Sequence, residues 1–220
     1  MRLNINYSMM LYKLIISLLL LLGSLAANGQ DLVTELLKAV DQNDVKAVRE
    51  YVRRGMSVDT SDAAGNTLLM RASRDAHAGL VEALISMKAG IHRRNATGDT
   101  PLMFAALGGN LDVVRLLVKA GADIQQPGWA PIHYCAWAGK TEVCQYLLKQ
   151  GADIDALAPN GTTPLMMAVR GGHLETVKML VWEVAELGLK NDDGATALQW
   201  AIRSQRQDIV AHLKQAGAKD

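Results

Sequence analysis

The sequence predicts an all-α protein, a solenoid of about six stacked helix-turn-helix units joined by short β-hairpin fingers. Three observations lead to this prediction. Similar stretches begin at Gly65, Gly98, Gly128, Gly161 and Gly194, separated by 33, 30, 33 and 33 residues. A Thr-Pro-Leu motif or a variant of it follows each glycine. Two segments with helical apolar spacing then follow, and one such pair buries its apolar face only by stacking on its neighbours.

The first thirty residues do not share the repeat. Their only charges are Arg2 and Lys13, and an apolar run from Leu14 to Leu22 is interrupted only by Ser17. Small residues follow this run. A positive start, an apolar middle and a small-residue end are typical of a secretory signal peptide.

We therefore expect residues 1–29 to be removed, with cleavage after Ala26 or after Gly29, and the mature protein to be periplasmic or secreted from a bacterium. The alternative is an uncleaved anchor in the inner membrane, although the apolar run is shorter than the about 20 residues that a spanning helix needs. Removing 1–29 lowers Lys+Arg from 23 to 21 against 22 acidic residues. This balance indicates no nucleic-acid partner.

The unit beginning at Thr100 shows how each element is predicted. Thr100 is placed to cap a helix that has Pro101 in its first turn, where the missing N–H costs nothing. A pair of glycines ends this helix after Leu107. A second helix begins near Leu111 and ends at Gly121, which we expect to adopt a left-handed conformation.

Period, motif and helix pattern together resemble the ankyrin repeat family, whose signature is Thr-Pro-Leu-His-x-Ala at about 33 residues. The motif reads Thr100-Pro101-Leu102-Met103 and Thr163-Pro164-Leu165-Met166 in the clearest units. The resemblance covers nearly everything after the leader and implies an ankyrin repeat domain over 30–220. Its expected repeats are about 31–61, 62–94, 95–126, 127–157, 158–190 and 191–220.

Two joints depart from the repeat pattern. Residues 125–127 replace a longer finger, which is therefore expected to be three residues shorter than the others. Val184 occupies the place that Gly121 and Gly151 occupy elsewhere. We expect the helix there to continue through residues 181–189 and to make the stack locally irregular.

No catalytic, metal or cofactor site is predicted. The sequence contains no metal-spaced His-Cys cluster and no phosphate-binding glycine loop. The resemblance gives His133 a structural role, bonded to the backbone of the neighbouring finger. Met70, Met103 and Met166 occupy the same motif position; we interpret them as core residues, with a soft metal site as the alternative.

Cys135 and Cys144 lie nine residues apart, on the two predicted helices of one unit. Antiparallel helices can bring such residues together, and an oxidising compartment allows a disulfide between them. The alternative is that both are small buried side chains.

In ankyrin proteins the finger tips and first helices form a concave face on which partner proteins dock, and the resemblance implies such a face here. Trp and Arg are enriched at interface hot spots, which favours Trp137 and the groove arginines. For Trp129 the alternative is a ring that covers the shortened finger. The candidate partner-binding residues are Trp129, Trp137, Leu107, Arg170, Arg74, Asp99 and Arg203.

The predicted function is a monomeric, non-enzymatic protein–protein interaction scaffold in the bacterial periplasm, without cofactor. Its partner is expected to be an envelope protein of unknown identity, with no membrane contact after signal cleavage. Two alternatives remain open. One is a metal- or redox-linked envelope protein that uses the Met and Cys residues, and the other is a membrane-anchored ankyrin adaptor.

Overall fold

A computed structural model describes residues 31–219, which form a single stack of helix pairs. The predicted signal peptide, residues 1–29, lies outside the described residues. Within the described part no helix is long and apolar enough to cross a membrane. The helices are α1 (31–41), α2 (Val45–Arg53), α3 (Leu68–Arg74), α4 (Ala78–Ser86), α5 (Pro101–Gly108), α6 (Leu111–Lys119), α7 (Pro131–Trp137), α8 (Thr141–Lys149), α9 (Pro164–Gly171), α10 (Leu174–Trp182), α11 (Ala197–Arg203) and α12 (Gln207–Gln215).

The helices form two layers. The first helices of successive units, α3, α5, α7, α9 and α11, contact one another in that order. The second helices, from α2 and α4 through α12, do the same. The apolar core lies between the layers, and one leucine of each second helix from α4 to α12 is fully buried in it, which confirms the predicted register. These leucines are Leu84, Leu117, Leu147, Leu180 and Leu213.

The first helices begin as the motif predicts. The hydroxyl of Thr100 accepts the backbone N–H of Met103, and the threonines at 67, 163 and 196 accept the equivalent N–H groups. In the fourth unit Ala130 stands at this position and has no such oxygen. The N–H of His133 bonds the carbonyl oxygen of Ala130 at 2.9 Å instead, and the His133 Nδ1 accepts the N–H of Ala130 at 3.1 Å.

The expected continuation of the helix through 181–189 is wrong. Helix α10 ends at Trp182, and Val184 adopts a left-handed conformation with φ 69°. The N–H of Ala185 bonds the carbonyl of Leu180, as the N–H of Ala122 bonds that of Leu117 after Gly121. The stack imposes the same reversal on every unit, so Val184 adopts it at a cost of about 1–2 kcal/mol.

The expected β-hairpin fingers are also not formed as strands. Within residues 31–219 the only bridge is the isolated antiparallel pair Ser61 and Thr67. The fingers are turns closed by side chains instead: Asp62 Oδ1 accepts two backbone N–H groups, and Asn95 Oδ1 accepts those of Thr97 and Asp99. Fingers this short make too few backbone pairs for a ladder.

The first unit, within the expected repeat 31–61, closes the stack. Leu36, Val40 and Val48 are fully buried although this unit has no Thr-Pro start. Asn43 takes the left-handed corner with φ 55°, at the place where Gly109 has φ 80° in the third unit. Asparagine tolerates this conformation better than other non-glycine residues do, so the repeat geometry extends to the end of the described chain.

Candidate functional site

Two rows of side chains follow the layer of first helices. One row repeats a single position near the end of each helix, and the other lies three residues earlier on the same helical face. Three members of the second row, Tyr134, Met167 and Trp200, line surface hollows, and sequence reasoning missed them although they follow one another at the repeat spacing of 33 residues. The outer row is Arg74, Leu107, Trp137, Arg170 and Arg203, and the inner row is Arg71, Phe104, Tyr134, Met167 and Trp200.

An apolar hollow of about 200 Å³ lies in the middle of this face. It unites three predicted site residues that come from α5, α7 and the shortened finger. The ring of Trp137 is 46% exposed beside it, an unusual exposure for so large an apolar side chain. The lining residues, called the apolar hollow below, are Leu107, Trp129, His133, Tyr134, Trp137 and Met167.

Trp129 packs against the fold and lines the hollow at the same time. Its ring meets that of His133 edge to face, with centroids 5.4 Å apart and planes at 80°. Gln126 holds the shortened finger in place: its amide donates to the carbonyl oxygen of Trp129, and its own oxygen accepts from Arg94 at 2.8 Å. The Trp129 ring therefore packs against His133 and also lines the hollow.

His133 is fully buried, and both of its ring nitrogens are used. While Nδ1 accepts the N–H of Ala130, Nε2 lies 3.0 Å from the carbonyl oxygen of Ala156 and 3.2 Å from that of Thr162. Burial lowers the pKa of His133, against the opposing effect of these carbonyl groups. The neutral ring thus ties the fourth unit to the next finger, which confirms its predicted structural role.

Asp99, a predicted binding residue, is engaged within the protein. Its carboxylate accepts a hydrogen bond from the hydroxyl of Tyr134, and Thr97 Oγ1 donates to it at 2.7 Å. Burial raises the pKa of Tyr134, and the neighbouring Asp99 raises it further. The pair links the third finger to α7 and uses the polar end of Tyr134, so only its ring faces the hollow.

A second, more polar cavity of about 360 Å³ adjoins the face at α9 and α11. It brings together the predicted residues Arg170 and Arg203, with Trp200 and Asp193 among the other lining residues. Neither arginine makes an ion pair with any residue between 31 and 219. This cavity is called the basic pocket below.

Arg74 occupies the outer row at the opposite end of the face. Its guanidinium Nε lies 2.8 Å from the carboxylate of the adjacent Asp75, which raises the pKa of Arg74 and lowers that of Asp75. Arg74 is therefore not brought together with the other predicted residues, and its charge is largely compensated.

The two cysteines lie in the interior. Cys135 and Cys144 form a disulfide with a Cα–Cα distance of 5.6 Å, and both are fully buried. The bridge joins α7 to α8 behind Trp137.

Met70, Met103 and Met166 are each at most 1% exposed, and they lie in three different units. The sulfur atoms of the first two accept backbone N–H groups at 3.3 Å, as His133 Nδ1 does in the fourth unit. These contacts favour the interpretation of the methionines as core residues.

Known proteins from other organisms have similar sequences. The chain is 29% identical over 153 residues to the Caenorhabditis elegans ankyrin repeat and KH domain-containing protein mask-1, a match covering 67% of this chain and 6% of that protein. It is 40% identical over 88 residues to mouse protein phosphatase 1 regulatory subunit 27, covering 40% of this chain and 57% of that protein. The chain thus spans only part of these relatives.

The fold matches a solved structure and the sequence matches a family model. The human ASB11 ankyrin repeat domain superposes with a TM-score of 0.77 at 26% identity, covering 84% of each chain. The family model for ankyrin repeats matches three times, over residues 36–127, 69–158 and 132–220. Together these overlapping matches span the stack from the first unit to the last. The chain therefore belongs to the ankyrin repeat family, whose repeats form protein–protein interaction domains.

Proposed function

We propose that this protein is a non-enzymatic scaffold that binds a partner protein in its concave groove, in the periplasm of a Gram-negative bacterium. One observation carries the proposal: the apolar hollow beside the exposed ring of Trp137. A concave apolar site next to a half-exposed tryptophan offers a partner side chain contact on several sides, as interface hot spots do.

The most exposed tryptophan of the described residues lies elsewhere. Trp182, at the end of α10, is 84% exposed and belongs to the layer of second helices. It lines neither of the cavities described above. This difference favours the groove, and it makes Trp182 a matched control for Trp137.

Two features support the proposed compartment. The leader has the order of a signal peptide, and the buried Cys135–Cys144 disulfide is of a kind that persists in oxidising compartments. The membrane-anchored alternative uses the same leader without cleavage. Mass spectrometry of the exported protein should find an N-terminus at Ala27 or Gln30, whereas an intact Met1 would favour the anchored form.

The groove is tested by capturing partners from periplasmic extract with matched variants. Trp137→Ala combined with Arg170→Ala should weaken capture by roughly thirtyfold or more, because truncating a hot-spot residue costs about 2 kcal/mol or more. Trp182→Ala should capture as wild type does. A photo-crosslinking amino acid placed at 137 should label the captured protein, and one placed at 182 should not.

Stability measurements separate binding from folding. Trp137→Ala alone should leave helical content and melting temperature nearly unchanged, because the ring points away from the core between the layers. A melting temperature lower by many degrees would identify Trp137 as a packing residue. Unchanged capture together with crosslinking from 182 would move the interface to the second helices.

A further inference from the structure

The apolar hollow and the basic pocket lie on successive units of one face. Together they indicate which kind of partner segment the groove binds. We propose that the groove binds an extended acidic segment of its partner. One large apolar side chain enters the hollow, and carboxylates about three and six residues away along the segment meet Arg170 and Arg203. This inference rests on the proposed function, because it describes the occupant of the same groove.

The hollow favours an apolar side chain because its exposed lining is almost entirely carbon, and the polar groups of His133 and Tyr134 bond within the protein. Both ring nitrogens of His133 hydrogen-bond to backbone groups, and the Tyr134 hydroxyl donates to Asp99. The remaining walls are the aromatic and aliphatic surfaces of Leu107, Trp129 and other residues of the hollow. Waters in this hollow of about 200 Å³ find few hydrogen-bond partners. Their replacement by carbon is favourable.

The arginines of the concave face are not equally available. In the second unit Arg71 bonds Asp41 at 2.6 Å and Asp62 at 2.9 Å, and Arg74 bonds Asp75. At that end of the face the positive charges of the arginines are therefore compensated by carboxylates of the same protein.

At the other end Arg170 and Arg203 have no carboxylate partner among the described residues, and Asp193 is the acidic residue that lines their pocket. Asn191 donates to Asp193 at 3.3 Å. Two guanidinium groups against one carboxylate leave a net positive charge. Arginine binds a carboxylate through two parallel hydrogen bonds, so an acidic residue fits better than a neutral one.

The repeat sets the spacing of the recognised residues. Trp137, Arg170 and Arg203 hold one position on three successive first helices, and packed helices lie about 8–10 Å apart. An extended chain advances about 3.3–3.6 Å per residue, so about three residues cover one unit. A segment that follows the stack therefore presents its apolar residue and its two acidic residues at intervals of about three.

The probe is a library of random dodecapeptides displayed on phage and selected on the immobilised full protein. Selection on wild type should enrich one apolar residue with acidic residues three and six positions away, in one chain direction. The Arg170→Ala, Arg203→Ala variant should enrich the apolar residue without the acids. Arg74→Ala, which removes an arginine already paired within the fold, should enrich the wild-type pattern.

A synthetic peptide of the enriched sequence then gives affinities by fluorescence anisotropy. Moving its acids by one position, or replacing Arg170 or Arg203 by Ala, should each weaken binding by about fivefold, the upper range for a solvent-exposed ion pair. Raising the salt concentration should weaken the wild-type complex and leave the double arginine variant little affected. Arg170→Glu with Arg203→Glu should prefer the same peptide with lysines in place of the acids.

The outcomes separate this inference from the proposed function. Peptides that bind in a Trp137-dependent way but carry no acids at these intervals would overturn the inference and leave groove binding intact. If no peptide binds and no protein crosslinks from 137, both proposals fail. Concentration-dependent dimers that Trp137→Ala abolishes would make a second copy of this chain the occupant and overturn the acidic segment.

Discussion

The third and fourth units, residues 95–126 and 127–157, have the same backbone plan, but different side chains stabilise their fingers and helices. The third unit has a full-length finger closed by Asn95, a Thr100 cap and Met103 beneath it. The fourth has a finger shorter by three residues, Ala130 at the cap position and His133 beneath it, together with a disulfide between its helices.

This difference shows which residues set the fold and which set the surface. Buried leucines at matching positions, Leu117 and Leu147, keep both units in register. The short finger, the missing cap and the disulfide all lie in or beside the fourth unit. Trp129 and Trp137 of the same unit line the hollow. The place where the repeat departs most from its pattern is therefore also the place where the groove has a distinct binding surface.

The largest expected effect tests what the two units share. Leu117→Asp and Leu147→Asp should each unfold more than their own unit, because an unpaired carboxylate is costly to bury and a central unit supports two neighbours. Each should cost more than the about 2–5 kcal/mol typical of Leu→Ala. Urea denaturation measures this loss, with the partly exposed Gln145→Asp as control. A wild-type midpoint for either leucine variant would contradict the register.

The next effect concerns the bridge that only the fourth unit has. Cys135→Ala with Cys144→Val introduces the residues that the third unit carries at 105 and 114. Loss of a disulfide that closes so short a loop should cost about 2–4 kcal/mol in the urea experiment. Reductant should lower the midpoint of the wild type and leave the variant unchanged. Equal midpoints without reductant would show that the bridge contributes nothing to stability.

A smaller effect distinguishes imidazole from thioether at the shared motif position. His133→Met keeps an acceptor for the Ala130 N–H, as Met103 does for Thr100, but removes the donor to the carbonyls of Ala156 and Thr162. We expect a loss of about 1–3 kcal/mol near pH 7.5, measured by chemical denaturation, because these buried carbonyl groups lose their bond to the ring.

The same pair of proteins should differ in pH dependence. Burial lowers the folded-state pKa of His133 below the ordinary value of 6.5, so the unfolded chain takes up its proton first. The contribution of this histidine is complete above pH 6.5 and is lost as pH falls through its folded pKa. The advantage of wild type over His133→Met should therefore shrink below pH 6.5. An advantage that stays constant down to pH 5 would contradict the burial of a neutral ring.

The smallest effect concerns the shortened finger. Gln126→Ala removes the side-chain bonds to Trp129 and Arg94, which should cost about 1 kcal/mol and lower the melting temperature by about 2–4 °C. Trp129 should become more exposed, seen as a red shift in its fluorescence in a background where Trp137, Trp182 and Trp200 are replaced by Phe. The exposed neighbour Gln125→Ala is the control. If both glutamine variants match wild type, the finger is held by its backbone alone.

The fold was largely predictable because each position of the repeat occurs several times in the sequence. Thr100, Gly121 and Leu117 have counterparts in other units, and their roles as cap, corner and core follow from local physical rules that act the same way in each. The prediction for Val184 was wrong because its conformation depends on the neighbouring units and not on its own residue type. A valine alone favours a continued helix, and only the stacking of neighbours forces it into a left-handed turn.

The candidate site was predictable in part. Trp137, Leu107 and Trp129 were found from their places in the repeat, and the structure brings them together. Tyr134 and Met167 were missed because they look like ordinary core residues of a helix. Whether such a side chain ends in the interior or at the rim of a hollow depends on the neighbouring unit, which the residue types do not reveal.

The disulfide also has a mechanical consequence. It joins two residues of the same unit, so it leaves the joints between units free, and the solenoid can still change its curvature along its length. Stretched from both ends, the chain would lengthen as units come apart one after another. The bridged segment would withhold about 25 Å of length, since nine residue steps of about 3.4 Å stay closed over a Cα–Cα distance of 5.6 Å. A force–extension trace would show that missing length reappear after reduction.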